Sequence, residues 1–426
     1  MLAFETAYSL PAGTRTLAEL GADVVRIAPP TRGFGIYISV VDGVFLNKPC
    51  VGIDLGNEAG LRLARRMAMK ADAVVSNFTA DVMPRFGLGP EDLLRMKADL
   101  IVLQLTGYGV PGPWQDFPAY GPSVEAAGGM NRLSGREEDP PVRVGSGVFA
   151  DQLAGRFAAL ALVAALKRRQ ETGKGQYIDV SMYESIVTLL GNFVLNAART
   201  GRAMPPRQGN RDPTMVPQGV YPCAGDDDWI AISVRSDEEW RALTRMIENV
   251  GLTDSGFSAA EGRRKAHDRI DAAIGAWTRG QDKTRLAERL QAAGVAAGPV
   301  HKVSDFPFDP HLAARGFMQT VEHSQPLFGY MAHPHPTTPW RADGRERTRL
   351  RDIRFAGADN ARVLKDWLGL IKRDVEELER AGALFRGSAG DQVRPAAPGV
   401  PTESDFAERL GLPATREAVG RAEAVG

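Results

Sequence analysis

Cysteine is nearly missing from this chain: Cys50 and Cys223 are its only two. Set so far apart, they supply neither a disulfide framework nor a CxxC metal pair, and a reducing cytoplasm is the expected setting. An excess of charge of one sign is missing too. Lys+Arg and Asp+Glu both number 52, so the formal net charge is zero. No global basic field exists to draw in nucleic acid or an anionic membrane, and an anionic ligand would need local basic residues. No apolar run reaches the ~18 residues of a spanning helix. The start, MLAFETAYSLPAGTRTLAELGADVV, lacks the basic-then-apolar pattern of a secretory leader. Histidine is absent before His267. His333 and His335 flank Pro334 without cysteine or acidic partners, a poor spacing for zinc. No metal set is read, and a surface or interface loop is expected there. Neither a GxSxG elbow nor a GxxxxGK[ST] loop occurs, so no motif points to a serine triad or a P-loop.

What is present fits an ordinary globular chain. At 426 residues, 43% hydrophobic and 24% charged, it is long enough for two or three domains. Strand-like and helix-like segments alternate through the first two hundred residues. ADVVRI at 22–27, Val51 to Leu55, ADAVVS at 71–76 and DLIVLQL at 99–105 read as strands, with a helix over Glu58 to Lys70. That rhythm predicts an α/β fold with a mostly parallel sheet. From about Gly209 the texture changes. GVYPCAGDDDWIAISV reads as two strands around an acidic turn, and SDEEWRALTRMIENVG opens on a Ser-x-x-Glu capping box. Residues 1–208 are thus expected to form a large domain and 209–316 a smaller α+β domain. Residues 317–385 return to the first, and 386–426 form a tail rich in Gly, Ala, Pro and charge.

Gly107-Tyr-Gly-Val-Pro-Gly112 matches GxGxxG after a strand, yet Pro111 and Pro113 stand where a helix should begin. It reads as a turn, not a dinucleotide fingerprint. The segment richest in chemistry is GSGVFADQLAGRFAALALVAALKRRQETGKGQYIDVSM, 145–182. Asp151 stands at the front of a helix whose apolar residues, Leu153, Phe157, Leu160, Leu162, Val163 and Leu166, predict burial around much of its circumference. From the residues alone two roles remain open for Asp151. One is an N-cap carboxylate; the other is a nucleophile held ionised by the helix terminus. Gly145, Gly147, Ala150, Ala154 and Gly155 would let a bulky thioester approach the backbone closely.

This stretch, an aspartate followed by AALALVAALKRR and TGKGQYIDVSMYES, resembles the family III CoA-transferases (the CaiB/BaiF-like group). LAELGADVVRI, ADAVVSNFTADVMPRFGL, LTGYGVPGPW, GNRDPTMVPQGVYP, GVAAGPVHKVSDF and DPHLAARGF follow in the family's order, over about residues 5–384. The resemblance implies a Rossmann-like large domain built from both ends of the chain, a small middle domain, and two interlocked subunits. It implies transfer of coenzyme A from an acyl-CoA to a carboxylic acid, with Asp151 as covalent nucleophile and CoA as substrate, no permanently bound cofactor being needed. CoA contacts would fall on Pro11, Ala12, Gly13, Asn77 and Arg85, with Arg26 a further candidate for the phosphates. Trp114, Phe117 and Tyr120 would wall the acyl pocket or belong to the core. A homodimer is expected, or a heteromer with a paralogous subunit.

The chain also departs from the family pattern. Met1-Leu-Ala-Phe falls inside the usual first strand, which implies a short start. Ala28-Pro29-Pro30 and Leu46-Asn47-Lys48-Pro49-Cys50 replace motifs on the nucleotide side. Two other functions compete: a racemase of the same family, and a non-catalytic CoA-ester-binding subunit. The racemase needs a His-Asp pair, and Phe117-Pro118-Ala119-Tyr120-Gly121 holds no histidine where one belongs. A tyrosine of pKa ~10 is a poor base at neutral pH.

Overall fold

Six short apolar runs build the central sheet of the computed structural model. It describes residues 1–30, 43–143, 145, 148–201, 207–247, 250–252, 255–327, 330–342, 344 and 346–387. The strands are β1 (Leu2–Phe4), β2 (Val25–Ala28), β3 (Cys50–Gly52), β4 (Ala73–Ser76), β5 (Ile101–Thr106) and β6 (Gln176–Ser181). They pair in the order β3-β2-β1-β4-β5-β6, all parallel. Strands covered on both faces need apolar residues throughout, and β1 and β5 are buried at every position. The strand order reverses between β1 and β4, and in such sheets ligands bind beyond the carboxyl ends of the strands at that point.

Helix α1 (Ser9–Glu19) follows β1, and α2 (Glu58–Lys70) follows β3. The second shows why the expected boundaries hold. Asn57 accepts the Ala59 and Gly60 amides as its cap, and Gly60, Leu63, Ala64, Met67 and Ala68 form one buried stripe. Helix α3 (Gly121–Ala127) begins well beyond the Gly107–Gly112 turn, so that turn leads into loop. Helix α4 (Phe149–Thr172) carries Asp151. By length and composition it is apolar enough to cross a bilayer, which corrects the expectation that no segment would be. Its buried stripe (Ala150, Ala154, Ala158, Leu162, Ala165) joins α1 residues in the sheet's core. Burial around most of the circumference is also corrected: Leu160 is 66% and Val163 49% exposed. The buried face is mostly alanine with Leu162, while Leu160 and Val163 point away from it.

The described residues divide into two units. Those within 1–131, 143–201 and 313–387 form the first; those within 132–142 and 207–312 form the second. In the second, β7 (Gln218–Pro222), β8 (Trp229–Ser233) and β9 (Ala296–Val300) make an antiparallel sheet. Helices α5 (Asp237–Ile247), α6 (His267–Thr278) and α7 (Lys283–Ala292) bury Trp240, Leu243, Ile274 and Leu290 against Ile230 and Ile232. The capping box is half formed. Ser236 Oγ accepts the Glu239 amide at 3.3 Å, while the Glu239 carboxylate turns back to Arg235.

The returning segment carries a hairpin, β10 (Met318–Leu327) and β11 (Tyr330–Pro336), followed by α8 (Asn360–Leu368). The surface loop expected around His333 and His335 is therefore an antiparallel strand, with His335 4% exposed. Residues i and i+2 of a strand share a face, and that spacing is what brings the two imidazoles together. Asp359 and Asn360 then close the free edge of the sheet, their side chains accepting the Cys50 and Gly52 amides at 3.0 Å each. The tail expected from Arg386 lies, beyond Gly387, outside the described residues.

Candidate functional site

The turn from β1 into α1 emerges at the point where the strand order reverses. Ala7 there has φ 51°, a left-handed conformation uncommon for a residue with a side chain. Two neighbours hold it. The Thr6 amide donates to Asn77 Oδ1 at 3.0 Å, and Asn77 Nδ2 donates to the Thr6 carbonyl at 2.8 Å. From the other side, Gln152 Nε2 donates to the Tyr8 hydroxyl at 2.7 Å. Asn77 and the start of α4 thus grip one turn, which gathers the expected Asn77 and Asp151 around it.

Asp151 is the third residue of α4, so it is not the cap; Val148 holds that position and makes no side-chain cap bond. Burial pushes the Asp151 carboxyl up to about 6, its own amide opposes this, and the Glu125 charge adds to it. Among the described residues no lysine or arginine pairs with it. Glu125 on α3 is fully buried and accepts the Ala150 amide at 3.2 Å, while its second oxygen has no partner among the described residues. Two carboxylates therefore share the amino end of α4. With a pKa of about 6, Asp151 is mostly ionised at neutral pH, and no cation among the described residues answers its charge.

The small residues around Asp151 have a different use from the one expected. A Cβ on Gly13 would lie 2.2 Å from the Gly155 carbonyl oxygen, and one on Gly155 would lie 2.3 Å from that of Ser9. Ala150 and Ala154 are wholly buried. These residues let α1 and α4 cross backbone to backbone; they are not an open approach for a thioester. Gly145 faces open space, and Gly147 lies outside the described residues.

Pro11, Ala12 and Gly13 lie in the first turns of α1, buried, with two of their carbonyls already engaged. Pro11 accepts Lys48 Nζ at 3.0 Å and Ala12 accepts Arg156 Nη1 at 2.9 Å. Lys48 also reaches Glu5 Oε1 at 2.6 Å and Thr14 Oγ1 at 2.9 Å, while Thr14 donates to Glu5 Oε2 at 2.6 Å. Burial pushes the Lys48 ammonium down to about 8 against the pull of Glu5.

The remaining expected residues are dispersed. Arg26 is buried, donates to the Arg354 carbonyl at 2.8 Å and lies 4.1 Å from the Phe45 ring centre. Arg85 is exposed and pairs with Asp81. Trp114 and Phe117 are exposed and stack at 6.1 Å, with Tyr108 and Tyr183 edge-on or tilted beside them; Tyr120 is exposed nearby in sequence. Sequence reasoning missed Tyr8, Gln152, Glu125 and the Glu5–Lys48 pair. Gln152, adjacent to Asp151, carried the clearest signal.

The model of CoA-transferase family III matches residues 1–353. A probable CoA-transferase of Mycobacterium tuberculosis is 30% identical over 87% of this chain, and the chain spans 48% of that relative's length. A succinyl-CoA–D-citramalate CoA-transferase of Chloroflexus aurantiacus is 31% identical, over 70% of this chain and 76% of its own. Among solved structures, a CaiB/BaiF family protein from Brucella suis superposes with a TM-score of 0.75 at 25% identity. That match covers 86% of this chain and 97% of that one.

Proposed function

The chain belongs to CoA-transferase family III, and from that premise we propose that it moves coenzyme A from an acyl-CoA donor to a carboxylic acid through Asp151. The observation that carries the reading is a carboxylate held near pKa 6, with no paired cation among the described residues, at the start of the helix that grips the turn where the strand order reverses. Such a group is mostly ionised at pH 7, and its desolvation keeps it reactive.

In the proposed sequence, a carboxylate oxygen of Asp151 attacks the thioester carbonyl and expels CoA as thiolate, leaving a mixed anhydride. The thiolate attacks the aspartyl carbonyl, releases the donor acid and forms an aspartyl-CoA thioester. The acceptor carboxylate attacks that thioester and expels the thiolate again. The thiolate then takes the acceptor acyl group and returns Asp151 to its starting state. Bond energies are similar throughout, and exclusion of water protects both intermediates. CoA enters as substrate beside Asn77, with Arg85 as the exposed basic residue for its phosphates; Pro11, Ala12 and Gly13, buried under α4, shape the turn and do not line the path. Arg26 is committed to the Arg354 carbonyl, which favours Arg85 for that task. The Trp114, Phe117 and Tyr120 surface is the proposed acyl wall.

The citramalate enzyme's name makes succinyl-CoA and short hydroxy acids the first pair to try. The exposed Leu160 and Val163 of α4, and the exposed Val194 and Leu195 of a later helix, support pairing with a second copy. The two buried, unpaired cysteines fit a reducing cytoplasm.

The test incubates the purified chain with succinyl-CoA or acetyl-CoA and a panel of acids, following thioester exchange by chromatography. Hydroxylamine then traps the acyl-enzyme, and mass spectrometry looks for modification of the Asp151 peptide. Exchange is expected from the native chain, with a loss of about 10³-fold or more in Asp151→Ala. Undiminished turnover in that variant would sink the assignment.

A further inference from the structure

The proposed chemistry uses none of the six histidines, and the hairpin brings three of them, His323, His333 and His335, together. Gln319 stands opposite His335 and Val321 opposite His333, so His323, two residues further on, falls on the same face. The rings sit with centres 5.2, 5.7 and 6.1 Å apart, and one nitrogen from each lies within 4.8 Å of the other two. Both His323 and His335 are 4% exposed. His323 Nδ1 meets Asp352 Oδ1 at 2.8 Å, while its Nε2 is buried with no partner among the described residues, as is Nε2 of His335.

Buried ring nitrogens without partners are costly and need a cause. A carboxylate on one nitrogen of a histidine is the arrangement that orients the other toward a metal. We propose that His323, His333 and His335 bind a divalent transition-metal ion of the zinc class, with Asp352 orienting the His323 ring. Imidazole nitrogen is the ligand chemistry such ions take, three of them leave a fourth position open, and the set excludes calcium and magnesium, which require oxygen. Tetrahedral Zn–N bonds of about 2.0–2.1 Å place ligand nitrogens roughly 3.3 Å apart. The nitrogens need close by no more than about 1.5 Å, within reach of side-chain rotation. Arg15, whose charge bears on His335, is paired with Glu19 at 2.6 Å. Val321 of the same hairpin packs with Tyr8, Ala12 and Val148, so a bound ion would brace the strand behind the β1–α1 turn.

The experiment uses the untagged full chain, stripped with EDTA, dialysed against a small excess of zinc sulfate and desalted. Elemental analysis should find about one zinc per chain and thermal melting a higher Tm with zinc. Asp352→Asn should weaken zinc binding about tenfold or more in a competitive chelator titration. His335→Ala should retain none; should it misfold, half-buried His333→Gln, checked by circular dichroism, replaces it. Cobalt in place of zinc should give the visible absorption of a four-coordinate site. A native chain with no zinc above the protein-free baseline would overturn the proposal, as would a folded His333→Gln that retains as much as the native chain.

Discussion

Two carboxylates near helix α1 receive opposite treatment. Glu5 is enclosed with Lys48 and Thr14, both oxygens occupied and a full cation at 2.6 Å. Asp151 stands beside another acid, and burial drives its pKa up to about 6 with no described cation to answer it. Saturation makes the first a fastening; want of a partner suits the second to the reacting role proposed for it. One holds the turn together, while the other is the group proposed to act on the substrate.

The sharpest way to break the comparison is to remove the cation from the fastened pair. Lys48→Met should cost about 3–5 kcal/mol, because it strands a buried charge. Glu5→Leu in the same chain should restore much of that loss in urea denaturation. The reactive carboxylate should behave in the opposite sense. A carboxyl whose native pKa exceeds its unfolded value contributes stability below about pH 4 and loses it as pH rises through about 6. Asp151→Asn should therefore stabilise the fold at pH 7 by up to about 3 kcal/mol, with the gain fading toward pH 4. Loss of stability in that variant at neutral pH would make Asp151 a second fastening. Activity sharpens the contrast further. In the proposed mechanism only the ionised form attacks, so kcat/KM should fall about tenfold per pH unit below about 6 and level off above it. Smallest is the surface pair: Arg85→Ala should move stability by under about 0.5 kcal/mol. A rise in KM for acyl-CoA without that cost would mark Arg85 as a phosphate contact.

Much of the sheet was legible because parallel strands buried on both faces must read as apolar runs, and DLIVLQL and ADAVVS do. The helix over Glu58–Lys70 was legible to the residue, since an asparagine cap and a 3.6-residue stripe are local signals. Asp151 could be placed near the front of its helix. Its distinction from a cap needed the actual start of α4 at Phe149. The rest depended on contacts remote in sequence. Glu5 and Lys48 are 43 residues apart, and Arg26 meets a carbonyl 328 residues away. The glycines at 13 and 155 looked like room for a ligand because nothing local shows that two helices cross there. The histidines suggested a loop because Pro334 between them obscured a strand. Only the pairing of β10 with β11 adds His323.

The closing of the sheet edge by Asp359 and Asn360 has a consequence in time. The hydrogen bond from Cys50 to Asp359 spans 309 residues. A ribosome adding roughly 5–20 residues per second needs about 15–60 s to supply the second partner after the first. Through that interval β3 is an open edge of the kind that recruits strands from other chains. The nascent protein must therefore keep its amino-terminal half from finding a foreign strand until its own late segment arrives.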